Sequence, residues 1–173
     1  MIRRLFNESS NSKRYFEFKG RKIPYKLKGS LLIFKDVYLN GMGLMSLREL
    51  PWANREWIVK GDFSCSDNNL TSLKGVPVKI GGNFYCGNNN LKTLEGAPSE
   101  VGDNFVCNDN NLITLKGAPK EIGLTFSCYN NNLKTLEGAP KEVGSDFDCS
   151  DNTVKFTKSD VKKVSEVWGK IYV

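Results

Sequence analysis

The sequence predicts a β-rich solenoid: a curved parallel sheet of about six rungs, with an N-terminal β-hairpin cap and a short C-terminal helical cap. Three observations carry this. Cys65, Cys86, Cys107, Cys128 and Cys149 recur every 21 residues, each inside the same phrase. Within that phrase Phe and Cys are separated by one residue, so both point to the same side of an extended strand. An Asn three residues beyond each Cys, and a Gly-x-Pro further on, supply corner and turn chemistry that closes one unit before the next begins. A period in the twenties means one small supersecondary unit stacked on copies of itself.

Each element follows in order. Residues 1–36 form a basic N-terminal capping segment. Its stretch RYFEFKGRKIPYKLK, from Arg14 to Lys28, reads as a β-hairpin about Lys19–Gly20 whose apolar residues cover the first rung. An uncovered solenoid end is a sticky edge, which is why a cap is expected at all.

The solenoid is assigned to residues 37–152. It opens on a degenerate copy in which Val37, Leu39, Met42, Leu44, Leu47 and Pro51 match the offsets of the later copies, Met42 replacing the corner Asn. Extra residues around Trp52 to Trp57 follow before Val59 restores the frame. Full copies begin at Phe63, Phe84, Phe105 and Phe126, and a truncated one at Phe147. In each, Phe and Cys face inward, and the corner Asn (Asn68, Asn89, Asn110, Asn131, Asn152) satisfies backbone groups of the turn and its neighbours as an amide ladder. Leu70 and Leu73, with their equivalents Leu91, Leu94, Leu112, Leu115, Leu133 and Leu136, fill the core on the return. Gly75, Gly96, Gly117 and Gly138 make the turn, and Pro77, Pro98, Pro119 and Pro140 stiffen the path back. Ile80, Val101, Ile122 and Val143 re-enter the core.

Residues 153–173 are read as the C-terminal cap. Ser159 N-caps a short helix through Val161, Val164 and Val167, and Trp168 with Ile171, Tyr172 and Val173 seals the last rung.

The pattern L-x-x-L-x-L-x-x-N/C-x-L maps onto Phe84, Cys86, Asn89 and Leu91, with Phe and Cys in place of two strand leucines; in this the chain resembles a leucine-rich repeat protein. The ending N-x-L-x-x-L-x-G-x-P is similar to the short bacterial class of these repeats. The Cys-bearing copies resemble arrays of bacteriophages, large DNA viruses and some bacteria. One departure stands out: Gly81, Gly102, Gly123 and Gly144 occupy the usual first leucine position, and the aliphatic residue moves one place earlier. Looser strand formation there, and little room for helix on the return side, are the expected consequences. The resemblance implies that the concave sheet is the partner surface.

Composition limits the chemistry. The 173 residues hold 25 Lys and Arg against 19 Asp and Glu, a net +6, and no histidine. Absence of histidine removes the commonest general base and the commonest metal ligand. The cysteines follow the repeat and lack the paired spacing of a zinc site, and parallel in-register stacking aims their Cβ atoms alike, which is poor disulfide geometry. They read as a ladder of buried, reduced thiols in a cytoplasm, that of a host if the chain is viral. No cofactor, metal or catalytic residue is expected. No run approaches the roughly 20 apolar residues of a membrane span, and the basic start has no following apolar run to make it a secretory leader.

Residues flanking Phe and Cys point outward and form columns along the stack. The first is Asp36, Asp62, Asn83, Asn104, Thr125 and Asp146; the second Tyr38, Ser64, Tyr85, Val106, Ser127 and Asp148; the third Asn40, Ser66, Gly87, Asn108, Tyr129 and Ser150. The copies differ here, as a shared scaffold with a specific face requires. Tyr38, Tyr85, Val106 and Tyr129 are the expected anchors of a protein partner, since tyrosine is enriched in binding hot spots; the alternative is a plain solvated sheet face. Asp146 and Asp148 lack the split environments of a catalytic pair and read as a solvated acidic edge.

Charge is placed unevenly: residues 1–35 carry ten Lys and Arg against two Asp and Glu, residues 36–152 ten against fifteen, and the tail five against two. The N-terminal basics, Arg3, Arg4, Lys13, Arg14, Lys19, Arg21 and Lys22 among them, interleave with Phe6, Tyr15, Phe16 and Phe18. Such a mixture can bind phosphate backbone and stack bases, or it can be the solvated outer face of a cap. The expected function is therefore a monomeric, non-enzymatic protein-binding module, an accessory or host-modulating protein if the viral resemblance holds. A nucleic-acid module using Arg14, Lys19, Arg21 and Lys22 is the alternative.

Overall fold

The computed structural model describes residues 14–173; the basic residues Arg3, Arg4 and Lys13 lie outside the described part. Strands β1 (Arg14–Phe18), β2 (Arg21–Lys28) and β3 (Leu31–Phe34) form an antiparallel meander. The first connection is a tight turn in which Lys19 and Gly20 both take positive φ, 46° and 76°, the geometry that matches strand twist.

From there the chain winds as a β-solenoid of about seven turns with almost no helix. Its strands are β4 (Val37–Tyr38), β5 (Trp57–Val59), β6 (Phe63–Ser64), β7 (Lys79–Ile80), β8 (Phe84–Tyr85), β9 (Glu100–Val101) and β10 (Phe105–Val106). Then come β11 (Glu121–Ile122), β12 (Phe126–Ser127), β13 (Glu142–Val143), β14 (Phe147–Asp148), β15 (Glu166–Val167) and β16 (Ile171–Tyr172), with helix α1 (Lys158–Lys162) before β15. Every turn gives one strand to each of two sheets. The nine-stranded sheet runs β1-β2-β3-β5-β7-β9-β11-β13-β15, and the seven-stranded sheet collects the even strands from β4 to β16. Past β3 all pairings are parallel and in register from copy to copy.

Two sheets stand where the repeat predicts one. The physical reason lies in the glycine that follows the aliphatic residue of each copy. Ile80, Val101, Ile122 and Val143 are buried on short strands of their own, and the chain then bends at Gly81, Gly102, Gly123 or Gly144 to reach Phe. At this bend successive turns touch backbone to backbone: a Cβ on Gly102 would run into the carbonyl oxygen of Gly81, and one on Gly123 into that of Gly102. Only glycine permits that approach. On the opposite side of each turn Gly117 sits at φ 97°, a left-handed conformation in which a side chain would also strike the backbone of Glu95.

The interior is one continuous column. Phe63, Phe84, Phe105, Phe126 and Phe147 are fully buried with ring centroids 4.9 to 5.7 Å apart along the stack. The five cysteines beside them are buried and unbridged. Toward the N-terminus the column passes into a cluster of Trp57, Trp52, Phe34 and Phe16, so the extra residues between the first two turns serve to fill the end of the core.

The tail covers the last rung by adding a turn to the stack, with Ile171 buried opposite Phe147. β15 pairs with β13, Val143 opposite Val167, and β16 pairs with β14, Phe147 opposite Ile171. This is the seventh turn, one more than the six read from the repeat. Thr157, not Ser159, is the N-cap of α1: its hydroxyl accepts from the Asp160 N–H while the Asp160 carboxylate accepts from Thr157, a reciprocal capping box. Ser159 falls inside the first turn, and the helix stops before Val164 and Val167. Trp168 is 73% exposed and covers nothing in the core.

Candidate interaction face

The outward side of the seven-stranded sheet is built by alternation. In β6, Phe63 and Cys65 face the core, so Ser64 faces out, and the same holds for Tyr85, Val106, Ser127 and Asp148. Register then lines up Tyr38, Ser64, Tyr85, Val106, Ser127 and Asp148 side by side. Tyr172 of the added turn continues this column beside Asp148; the sequence hid it because β16 follows a helical insertion and lacks the Phe-x-Cys phrase.

An open groove of about 650 Å³ lies over the N-terminal half of this face, lined by Tyr38, Ser64, Tyr85, Val106, Asn108 and Asp109 among others. Tyr38 is the most exposed of its tyrosines, at 49%, and its hydroxyl donates to Asp62 Oδ2 at 3.3 Å. Both phenols are pushed above the ordinary tyrosine range, by partial burial first and then by carboxylates: Asp62 and Asp36 act on Tyr38, Asp62 and Asp103 on Tyr85. Ser64 is different again. It is 2% exposed between the two tyrosines, and its hydroxyl has no hydrogen-bond partner.

The first outward column has a structural task that sequence spacing does not show. Asp36 Oδ1 accepts the Asp62 N–H, Asp62 Oδ1 accepts both the N–H and the side-chain amide of Asn83, and Asn83 Oδ1 does the same for Asn104. Asn104 Oδ1 takes the Thr125 N–H at 2.9 Å, and Asp146 Oδ1 takes the Lys170 N–H at 2.7 Å. These side chains tie each turn to the next where the chain bends into the face. The remaining positions divide likewise. Tyr129 Oη accepts from Asn108 Nδ2 at 3.0 Å, and Asp148 is held by the Ser150 N–H and hydroxyl. Asp146 and Asp148 therefore do separate jobs at one end of the face.

At the other margin of the sheet the buried asparagines hold the corner. Asn110 Oδ1 accepts the Leu91 N–H of the preceding turn, while its Nδ2 donates to the carbonyls of Cys86, Cys107 and Asn108. Beyond its own turn, each such amide reaches only the preceding one. That explains Met42: the first turn has no predecessor for an asparagine to serve. Just before each ladder residue stands an Asp or Asn at φ between 50° and 58°: Asp67, Asn88, Asp109, Asn130 and Asp151. These two residue types tolerate the left-handed region best among non-glycines. Acid and amide alternate along this exposed row, Asn88 donating to Asp67 at 2.8 Å and Asn130 to Asp109. The D/N-N pair after every Cys is the sequence signal for it.

Three basic residues of the hairpin make contacts. Lys19 Nζ donates to the Met42 carbonyl at 2.6 Å and Arg21 to the Tyr38 carbonyl at 3.1 Å, while Lys22 lies over the Tyr15 ring at 4.8 Å. Of the four residues put forward for nucleic acid, Arg21 thus holds β4 and Lys19 the corner beyond it; Arg14 begins β1.

The cysteines offer no nucleophile. Burial raises every thiol far above its ordinary value in Cys65, Cys86, Cys107 and Cys128, and burial followed by the nearby Asp148 carboxylate pushes Cys149 up to about 12. Thiolate, the reactive form, is suppressed. Among the described residues no group of three or more His, Cys, Asp or Glu is placed to hold a metal ion, and no helix is long and apolar enough to cross a membrane. A larger depression of about 1110 Å³ follows the glycine bend to Trp168, its lining including Lys79, Ser99, Glu100, Lys120 and Glu121. Comparison with protein-family models, with curated proteins and with solved structures returns no match.

Proposed function

We propose that the chain is a non-enzymatic interaction module that binds a partner protein on the outward face of its seven-stranded sheet. The observation that carries this reading is the groove over Tyr38, Ser64 and Tyr85, at positions where otherwise near-identical copies diverge. A scaffold repeated for stability and varied on one face is how solenoids present specificity. Lack of histidine and the suppressed thiols support a binding role over a catalytic one. The buried reduced thiols suit a cytoplasm. The resemblance to leucine-rich repeat arrays of phages and large viruses is the sole ground for a host-directed accessory role. A nucleic-acid role is less favoured, because Lys19 and Arg21 donate to the Met42 and Tyr38 carbonyls of the first turn.

The test is capture from nuclease-treated lysate by the wild-type protein and by the Tyr85→Ala/Tyr129→Ala variant, with melting curves recorded for both. The expected outcome is a protein retained by wild type, lost from the variant, at nearly unchanged melting temperature. Retention by both moves the site off this face, and loss on nuclease treatment favours the nucleic-acid reading.

A further inference from the structure

Charge on this molecule is segregated in an unexpected way. The chain is basic overall, yet the face strands and their following corners, residues 36–40, 62–68, 83–89, 104–110, 125–131 and 146–152, contain no lysine or arginine and carry seven aspartates. Lys19 and Arg21 stand at the rim of this region, held there by donating to the Met42 and Tyr38 carbonyls. The groove is thus aromatic and acidic within a cationic protein, with Asp62 against the Tyr38 hydroxyl and Asp67 and Asp109 in its wall.

A second observation is independent of charge. The Ser64 hydroxyl is buried without a partner on the floor of this groove, and Tyr38 and Tyr85 flank it in register. A buried polar group left unpaired costs stability that a bound ligand can recover. Strand spacing sets the Cβ atoms of the two tyrosines about 9.6 Å apart, two steps of about 4.8 Å, which gives a flat group width to enter when the rings part from over Ser64. A guanidinium fits such a place: it stacks on aromatic faces and brings N–H donors to a hydroxyl lone pair.

Resting on the reading that this face binds a protein, we infer that the segment it takes is basic and extended, with one arginine or lysine seated between Tyr38 and Tyr85 over Ser64. A second cation then pairs with Asp109. The row Asp67, Asn88, Asp109, Asn130, Asp151 puts its acids two turns apart, again about 9.6 Å. A polyproline II segment repeats about every 9.3 Å, three residues, whereas a β-strand returns to the same side after about 6.7 Å. The spacing selects cations at every third residue of a polyproline II segment running along the stack.

Synthetic peptides test this directly. The probe carries arginine at every third position in a proline-rich background; the controls replace arginine with uncharged citrulline or move it to every second position. The third-position arginine peptide is expected to bind most tightly, to lose at least about 10-fold to either control, and to weaken with added salt. Tyr38→Ala and Tyr85→Ala should each weaken it about 10-fold or more. Ser64→Ala should weaken it about 10-fold without lowering the melting temperature, a split that a purely structural serine would not give. No binding of the arginine peptide, equal binding of the citrulline peptide, or indifference to all three substitutions overturns the inference. Tyr85-dependent binding of an uncharged peptide would overturn the cation while leaving a protein-binding face. A captured partner indifferent to Tyr85 would remove that face as well.

Discussion

Two ladders of Asp and Asn flank the seven-stranded sheet, and they differ in what they tolerate. The ladder after Cys is buried, is asparagine at every full copy, and makes four hydrogen bonds per residue, as at Asn110. The ladder before Phe is half-buried, mixes Asp36, Asp62, Asn83 and Asn104, and admits Thr125. The lesson is about water. Where solvent reaches a backbone N–H, a missing rung costs little; where it does not, every turn needs the same amide. The tolerant ladder is also the one that touches the candidate site, through Asp62 and Tyr38, so variation is available where a partner would be read.

The largest expected effect breaks the interior that both ladders enclose. Cys107→Asp places a carboxylate with no countercharge in the middle of the column. Circular dichroism and size-exclusion chromatography should show a protein that does not reach the native fold; a soluble variant with a cooperative melt would overturn the inward assignment. Next comes the direct contrast. Asn110→Ala leaves the Leu91 N–H unpaired in the core and takes one of two donors from the Cys86 carbonyl, which Asn89 still serves; it should cost about 2–3 kcal/mol, the upper part of the range for a buried group left unmet. Asn104→Ala should cost about 1 kcal/mol, since water can replace its amide. Urea unfolding of the pair measures the difference, and equal losses would refute the comparison.

The smallest effect concerns the added turn. The buried corners of the inner turns are held by amides that do not titrate, whereas the capping box of α1 depends on the Asp160 carboxylate. The bonds from Thr157 and then Lys163 hold its carboxyl below the usual carboxylate range, to about 2. A depressed folded value means the capping contribution is present above the unfolded value near 4 and is lost as pH falls from about 4 toward 2. The protection factor against hydrogen exchange at the Val161 N–H, which donates to the Thr157 carbonyl, should fall over that interval while the Asn110 corner stays protected. Protection lost together at both would mean that the last turn does not loosen separately.

Much of this was legible beforehand, for a plain reason. The 21-residue recurrence, the inward Phe and Cys, the returning leucines and the corner asparagines are local and periodic, and periodicity in a chain translates directly into stacking. The hairpin about Lys19–Gly20 is equally local. In the candidate site the sequence placed Tyr38, Ser64, Tyr85 and Val106 in one outward column, because alternation along a strand is a property of the strand alone.

What only the tertiary structure decided depends on groups brought together from different turns. Gly102 bends the chain into a second sheet because the carbonyl of Gly81 lies where its side chain would be. Asp62 and Asn83 look like free surface residues until the amides of the next turn arrive beside them. Residues 153–173 read as a lid, yet Val167 and Ile171 find partners in Val143 and Phe147 and become a seventh turn. Ser64 is an ordinary serine in the sequence; only its burial between Tyr38 and Tyr85 leaves its hydroxyl unpaired. Side-chain direction is set within a strand, but hydrogen-bond satisfaction is settled between turns, and that second step cannot be read from one copy of the repeat.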